Sequence, residues 1–392
     1  MEGLEMKRVF FSLLISTLII FTFSPFASAQ ESSVDLANNA KSAILIERDT
    51  GKILYEKNSD EKLSPASMTK IMTMLLIMEA LDKGSITYSE KVRTSEHAAS
   101  MGGSQIFLEP GEEMTVEEML KGIAIGSGND ASVAMAEKIA GSEEAFVEMM
   151  NNKVEELGLK NTLFQNPTGL PAENHYSSAH DMAIMAKELL KYEDITKFTG
   201  QYEDYLRQNT ENKFWLVNTN RLVRFYPGVD GLKTGFTTEA KYCLTATAEK
   251  ENMRLISVIF GAPTPKDRNA QVTKMLDFGF SQYKTHPLYE RNQEVAEAKV
   301  SKGSEKRIKL VTSEPISLLT RKGEKVDDVQ KEVVVADKLN APIKKGDEIG
   351  KLVIKKDGKV LSESPLVADK DIDAASWWKL FKRTMGTFNK TP

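Results

Sequence analysis

The chain has 392 residues, abundant apolar residues and a formal net charge of −4. A mildly acidic sequence with no concentrated basic stripe excludes nucleic acid as its main partner. Cys243 is the only cysteine, which excludes an intramolecular disulfide, and the setting Tyr242-Cys243-Leu244 reads as a buried strand position rather than a reactive thiol.

Residues 1–29 read as a signal peptide. Lys7 and Arg8 supply a basic start, Val9 to Phe23 an apolar stretch broken only by Ser and Thr, and Ala27-Ser28-Ala29 a cleavage pattern before Gln30. The apolar stretch is short for crossing a bilayer. About 360 residues remain, enough for two domains.

The first domain is expected over 30–285. Ser42 to Ile46 and Ile53 to Tyr55 flank Asp49-Thr50-Gly51-Lys52 as a hairpin. After Pro65, Ser67 opens a mostly apolar run, Met68 to Leu81, which predicts a helix buried on most sides. Thr115-Val116-Glu117-Glu118 has the form of a capping box and starts a helix through about Ile125. Gly126-Ser127-Gly128 interrupts it, and helical character resumes over Asp130 to Ala140, Ala145 to Leu157 and Ser178 to Tyr192. From Val229 the pattern turns to strands, with Lys241 to Ala248 and Met253 to Gly261 paired around Lys250-Glu251-Asn252, and Lys266 to Tyr283 closes the domain as a helix. Strands at both ends with helices between predict an α+β fold, one sheet flanked by a helical cluster.

Residues 290–369 hold short β-rich runs, and Lys356-Asp357-Gly358-Lys359 between two of them is a hairpin signal. They predict a small all-β domain without a chemical cluster. Over 371–392, Trp377, Trp378, Leu380, Phe381, Met385 and Phe388 fall on one side of a helical wheel, and Lys379, Lys382 and Arg383 on the other. That pattern suits an amphipathic helix lying on a membrane surface.

Three short elements carry chemistry. Ser67-Met68-Thr69-Lys70 places a hydroxyl and an amine three residues apart on one helix face. A serine becomes a useful nucleophile when a neighbouring base takes its proton, and a lysine serves as that base when burial or another cation lowers its pKa. Alone the pattern is weak, since Ser59/Lys62, Ser281/Lys284 and Ser376/Lys379 repeat it. Ser127-Gly128-Asn129 offers a hydroxyl and an amide from a break between helices, where glycine lets the backbone turn. Lys233-Thr234-Gly235 offers a Lys and a Thr able to bind a carboxylate on a strand edge, with a glycine that admits a close substrate backbone. The last two triplets occur once each, and the order of all three is specific.

These triplets resemble the signatures of the penicillin-recognising serine enzymes. Pro65-Ala66-Ser67-Met68-Thr69-Lys70, Gly103-Ser104-Gln105-Ile106-Phe107-Leu108, Ser127 to Ala131, Asn166-Pro167-Thr168-Gly169-Leu170, His175-Tyr176-Ser177 and Val229 to Gly235 narrow the resemblance to low-molecular-mass D-alanyl-D-alanine carboxypeptidases. Over its whole length the chain resembles the sporulation-associated enzymes of Bacillus-type bacteria. The resemblance implies a penicillin-binding/β-lactamase-like first domain, peptidoglycan stem peptides as substrate, β-lactams as covalent inhibitors, and no metal or organic cofactor. It implies Ser67 as nucleophile, Lys70 as its proton acceptor and Ser127 as proton relay to the leaving nitrogen. Asn129 would hold the substrate backbone, Lys233 and Thr234 would bind the terminal carboxylate, with Lys233 also helping to lower the pKa of Lys70, and Gly235 would complete the substrate-binding strand. The main-chain N–H groups of Ser67 and Phe236 would form the oxyanion hole; some relatives carry His at that second position. The expected location is the outer face of the cytoplasmic membrane, or the medium.

A class A β-lactamase would add a Glu-x-x-Leu-Asn setting between the second and third triplets; the stretch from Ser127 to Lys233 has none. A D,D-transpeptidase shares the acylation step. A catalytically silent wall-binding protein is disfavoured by three intact triplets. His175 and His180 with Asp181 read as a structural helix start rather than metal ligands.

Overall fold

The computed structural model describes residues 35–379, apart from positions 325, 327, 337 and 357. The expected signal peptide and the tail beyond 379 lie outside the described residues.

Among the described residues, β1 (Ser42–Glu47), β2 (Ile53–Lys57), β3 (Val229–Thr237), β4 (Lys241–Lys250) and β5 (Met253–Ala262) form an antiparallel sheet in the order β2-β1-β5-β4-β3. Period-two alternation buries both faces of its central strands. Ile44, Ile46, Ile256, Val258 and Phe260 enter one core, while Ala43, Leu45, Leu255 and Ile259 enter another. On the first face lie α1 (Lys70–Asp82), α2 (Val116–Ala124), α3 (Asn129–Ala140), α4 (Glu143–Glu156) and α5 (Ala179–Leu189); α6 (Pro265–Gln282) covers the second. Each Leu, Ile or Met side chain so buried contributes about 1.5–3 kcal/mol.

Local chemistry sets the helix ends. Thr115 and Glu118 form the expected capping box of α2, and Ser142, Ser178 and Thr264 cap α4, α5 and α6, the last with Pro265 at its start. Helix α1 has no polar stripe, and every residue from Lys70 to Ala80 is buried. Its beginning differs from expectation: Ala66–Thr69 is a 3-10 turn and the α-helix starts at Lys70. Pro65 and a left-handed Ala66 (φ +46°) force the tighter entry.

A third core fills the C-terminal β region, where β6 (Tyr283–Tyr289) pairs with β9 (Ile316–Arg321). Strands β7 (Glu294–Ser301), β8 (Arg307–Thr312), β10 (Gln330–Val335), β11 (Leu339–Asn340), β12 (Glu348–Lys356) and β13 (Lys359–Ala368) run in the order β10-β12-β13-β8-β7-β11. The expected hairpin is present, with Lys356 opposite Lys359. Residues 371–376 are extended rather than helical, because Ile372 bridges to Ile343 and Ala374 to Gly303. A helical turn is described only from Trp377, whose ring and that of Trp378 are exposed.

Candidate active site

The 3-10 turn at Ala66–Thr69 eclipses side chains three residues apart, and this sets Lys70 Nζ 3.2 Å from Ser67 Oγ. Ala66 adopts a strained φ for a residue with a Cβ, so its surroundings must hold it there. Two glycines make that contact possible. A Cβ at Gly169 would lie 1.8 Å from the Ala66 carbonyl oxygen, and one at Gly235 would lie 2.7 Å from the Pro65 carbonyl oxygen. Gly235 therefore lets edge strand β3 press against the turn that bears Ser67. That is protein packing, not only the substrate approach expected for it.

Behind Ser67, Lys70 has no exposed surface. Its amine donates to Asn129 Oδ1 (2.6 Å) and to the Thr168 carbonyl (2.7 Å), which uses both N–H groups of a neutral amine and leaves its lone pair for the Ser67 hydroxyl 3.2 Å away. Asn129 Nδ2 in turn donates to the Gly102 carbonyl at 2.7 Å. Both ends of the Asn129 amide thus serve the protein in this state, where the expectation was a grip on the substrate backbone. Ser127 turns the chain between α2 and α3 through its own left-handed φ of +63°, not through a flanking glycine as expected, and it lines the cleft with Ser67.

Lys233 stands 1 % exposed on β3, its amine donating to the Thr234 carbonyl at 3.1 Å. Thr234 Oγ1 donates to Thr219 Oγ1 at 2.7 Å. None of the ion pairs among the described residues includes Lys70, Lys233 or Arg268. Burial first, and the Lys233 charge second, push the Lys70 amine well below the usual lysine range, against an opposing pull from Asp130. Burial first, then Arg268, bring Lys233 down to about 7. The first amine is thereby shifted toward the neutral form, which is able to accept a proton. The second, with Arg268, leaves a cationic corner with no carboxylate of its own, suited to an incoming anion.

Ser67, Ser127, Thr234, Gly235, Phe236 and Arg268 line one cleft of about 820 Å³, with Lys70, Asn129 and Lys233 buried behind its wall. All the site residues expected from the sequence therefore converge. Ser67 and Phe236, expected to supply the oxyanion N–H groups, share this cleft, and the Phe236 ring is half exposed and stacked on Tyr242 at 4.4 Å.

Several contributors were not foreseen. Arg268 sits on α6 without any motif, and Thr219 lies ahead of the third triplet, before the short helix Leu222–Phe225. Thr168 acts through its carbonyl, presented by a turn in which Asn166 Oδ1 accepts from Thr168 N, Thr168 Oγ1 and Gly169 N. The buried Asp130 carboxylate accepts from the N–H groups of Ile106, Leu108 and Ala131, pinning the 103–108 loop beside Asn129. Of the residues weighed as metal ligands, Asp181 accepts from Asn161 N and Thr162 Oγ1 at the start of α5, and His175 is tied to Thr69.

A family model described as D-alanyl-D-alanine carboxypeptidase matches residues 27–264, and one described as penicillin-binding protein 5, C-terminal domain, matches residues 283–374. The fold is accordingly that of a penicillin-binding peptidase domain followed by a small all-β domain. The chain belongs to the D-alanyl-D-alanine carboxypeptidase family. It is 70 % identical over 388 residues to the D-alanyl-D-alanine carboxypeptidase DacF of Bacillus subtilis, covering 98 % of this chain and 100 % of that one. Among solved structures, penicillin binding protein 5 from Haemophilus influenzae is similar at 35 % identity and a TM-score of 0.67, over 86 % of this chain and 98 % of that one. Penicillin-binding protein D2 from Listeria monocytogenes, in its ampicillin-bound form, matches at 28 % identity and a TM-score of 0.56, over 62 % and 98 %.

Proposed function

We propose that this enzyme removes the C-terminal D-alanine of peptidoglycan pentapeptides through an acyl-enzyme on Ser67. The observation that supports this most directly is the buried Lys70 amine 3.2 Å from the Ser67 hydroxyl, with burial first and a second buried lysine next lowering its pKa. Neutral Lys70 accepts the Ser67 proton as Oγ attacks the carbonyl of the penultimate residue. The N–H groups of Ser67 and Phe236 receive the developing oxyanion. Ser127 passes a proton to the leaving nitrogen, D-alanine departs, and water then hydrolyses the ester. Lys233, Thr234 and Arg268 hold the terminal carboxylate, while Asn129 and the Thr168 carbonyl hold the Lys70 amine in place. A β-lactam acylates the same serine, in keeping with the ampicillin-bound relative.

The test is mass spectrometry of pentapeptide muropeptides incubated with the protein. Loss of one alanine per stem by the wild type, and none by Ser67→Ala, is the expected result. Cross-linked dimers would mean transpeptidation, and inert wild-type protein would mean a silent binder.

The wider reading takes residues 30–285 and 290–369 as two domains, in keeping with the separate core of the β region. It has residues 1–29 exporting the chain, and the tail over 371–392, with its exposed Trp377 and Trp378, holding it to the outer face of the membrane. The similarity to Bacillus-type enzymes favours a role in sporulation. Removing residues 376–392 should abolish sedimentation with lipid vesicles and spare D-alanine release; continued sedimentation would refute the tail's role.

A further inference from the structure

The turn that bears Ser67 is held from outside its own backbone. Neither the 3-10 turn nor the helix that follows has a side-chain cap at its start, and Ala66 is strained. Such a turn keeps its shape only where neighbours over-determine it. Its last residue, Thr69, is fully buried, and its hydroxyl lies 2.8 Å from His175 Nε2. On the other side of the ring, His175 Nδ1 accepts the N–H of Gln165 at 3.1 Å. Nδ1 therefore carries no proton, and the ring is the tautomer that donates from Nε2 to Thr69. Phe164 packs edge-on against the ring at 5.6 Å, and burial holds the imidazole neutral, with its pKa down to about 4. The same segment grips the helix twice more, since Thr73 Oγ1 donates to the Pro167 carbonyl and Lys70 to the Thr168 carbonyl.

We propose that His175 is a positioning residue for acylation: by donating from Nε2 to Thr69 it sets the turn on which Ser67 meets Lys70. This rests on Ser67 being the nucleophile. The two arms of the imidazole are separable by substitution. His175→Gln keeps an amide N–H where Nε2 stands and can still reach Thr69. His175→Asn keeps an acceptor near Nδ1 and can still receive the Gln165 N–H, but it does not reach Thr69. A role confined to bracing the 163–177 segment would not favour Gln over Asn.

Acylation by a fluorescent penicillin, followed in time, is the readout, with thermal melting to establish that each variant is folded. His175→Gln should acylate within about 3-fold of wild type, and His175→Asn about 10- to 100-fold more slowly, the scale expected from a misplaced reacting group. Thr69→Val, which removes the acceptor and keeps the shape, should match His175→Asn, whereas Thr69→Ser should recover most of the rate. Equal rates for the Gln and Asn variants, or wild-type acylation by Thr69→Val, would overturn the proposal. Should His175→Asn fail to fold, the Thr69 pair decides alone. Ser67→Ala run alongside separates the two readings, because labelling of that variant would remove the nucleophile assignment rather than the positioning role.

Discussion

The two halves of the described chain treat charge in opposite ways. The β region keeps its charges at the surface, in pairs between neighbouring strands: Lys351 with Glu363, Lys309 with Glu294, Lys355 with Glu332 and Arg307 with Glu297. The peptidase domain buries Lys70 and Lys233 almost completely and gives neither a carboxylate partner. A buried unpaired cation is costly unless it loses its proton or receives an anion from outside. Here one lysine does the first and the other is poised for the second, so the expense marks the site where chemistry is performed.

The comparison breaks first at Lys70. Lys70→Met keeps the length and apolar stem of the side chain but removes the base. D-Alanine release and penicillin labelling should fall by at least about 10³-fold. The fold should survive, because loss of a desolvated amine offsets the two acceptors left without a donor, Asn129 Oδ1 and the Thr168 carbonyl. A variant labelled at the wild-type rate would show that the buried amine is structural.

Lys233 sharpens the contrast through pH. In the free enzyme this amine titrates at about 7, and only its protonated form attracts a carboxylate. Peptidase kcat/KM should therefore decline as pH rises through about 7, and decline again on the acid side once Lys70 takes up a proton. Lys233→Arg, which stays charged, should move the alkaline decline upward. Lys233→Ala should lose about 10²-fold in kcat/KM and show no alkaline decline from this group. An alkaline limb that stays unmoved in Lys233→Arg would assign it to another group.

How much of this was legible beforehand follows from the distance over which each feature is written. Ser67 with Lys70, the Ser127 to Asn129 break and the β3 edge are local patterns, and the structure brings all of them to one cleft. The capping box at Thr115, the β4–β5 hairpin and the burial of Cys243 are local too, and they match expectation. Arg268 and Thr219 reach the site only through tertiary packing, and no motif announces them; Thr168 and His175 lie in stretches that carry the family resemblance, but the carbonyl and the ring contacts through which they act are tertiary. The 3-10 entry at Ala66 was missed for a related reason. A Pro followed by Ala does not signal a left-handed residue, and the cause lies in Gly169 and Gly235 pressing on that turn from far along the chain. The orientation of Asn129 was hidden because its amide is claimed by Lys70 and Gly102.

The smallest effect belongs to the β region and completes the contrast. Lys351 and Glu363 lie 2.6 Å apart with each side chain nearly half exposed. Water screens such a pair, and ordering two long side chains consumes most of its Coulomb gain. Lys351→Ala should therefore change stability by less than about 1 kcal/mol in a denaturant titration, and leave penicillin labelling at the wild-type rate. The expected insensitivity is informative because the amine in question is the same functional group as in Lys70 and Lys233. Only its surroundings differ: exposed and paired, it does little, whereas buried and unpaired it is made reactive. A loss of labelling in Lys351→Ala would mean that the β region feeds back on the cleft, and the division between surface pairs and buried cations would no longer separate structure from chemistry.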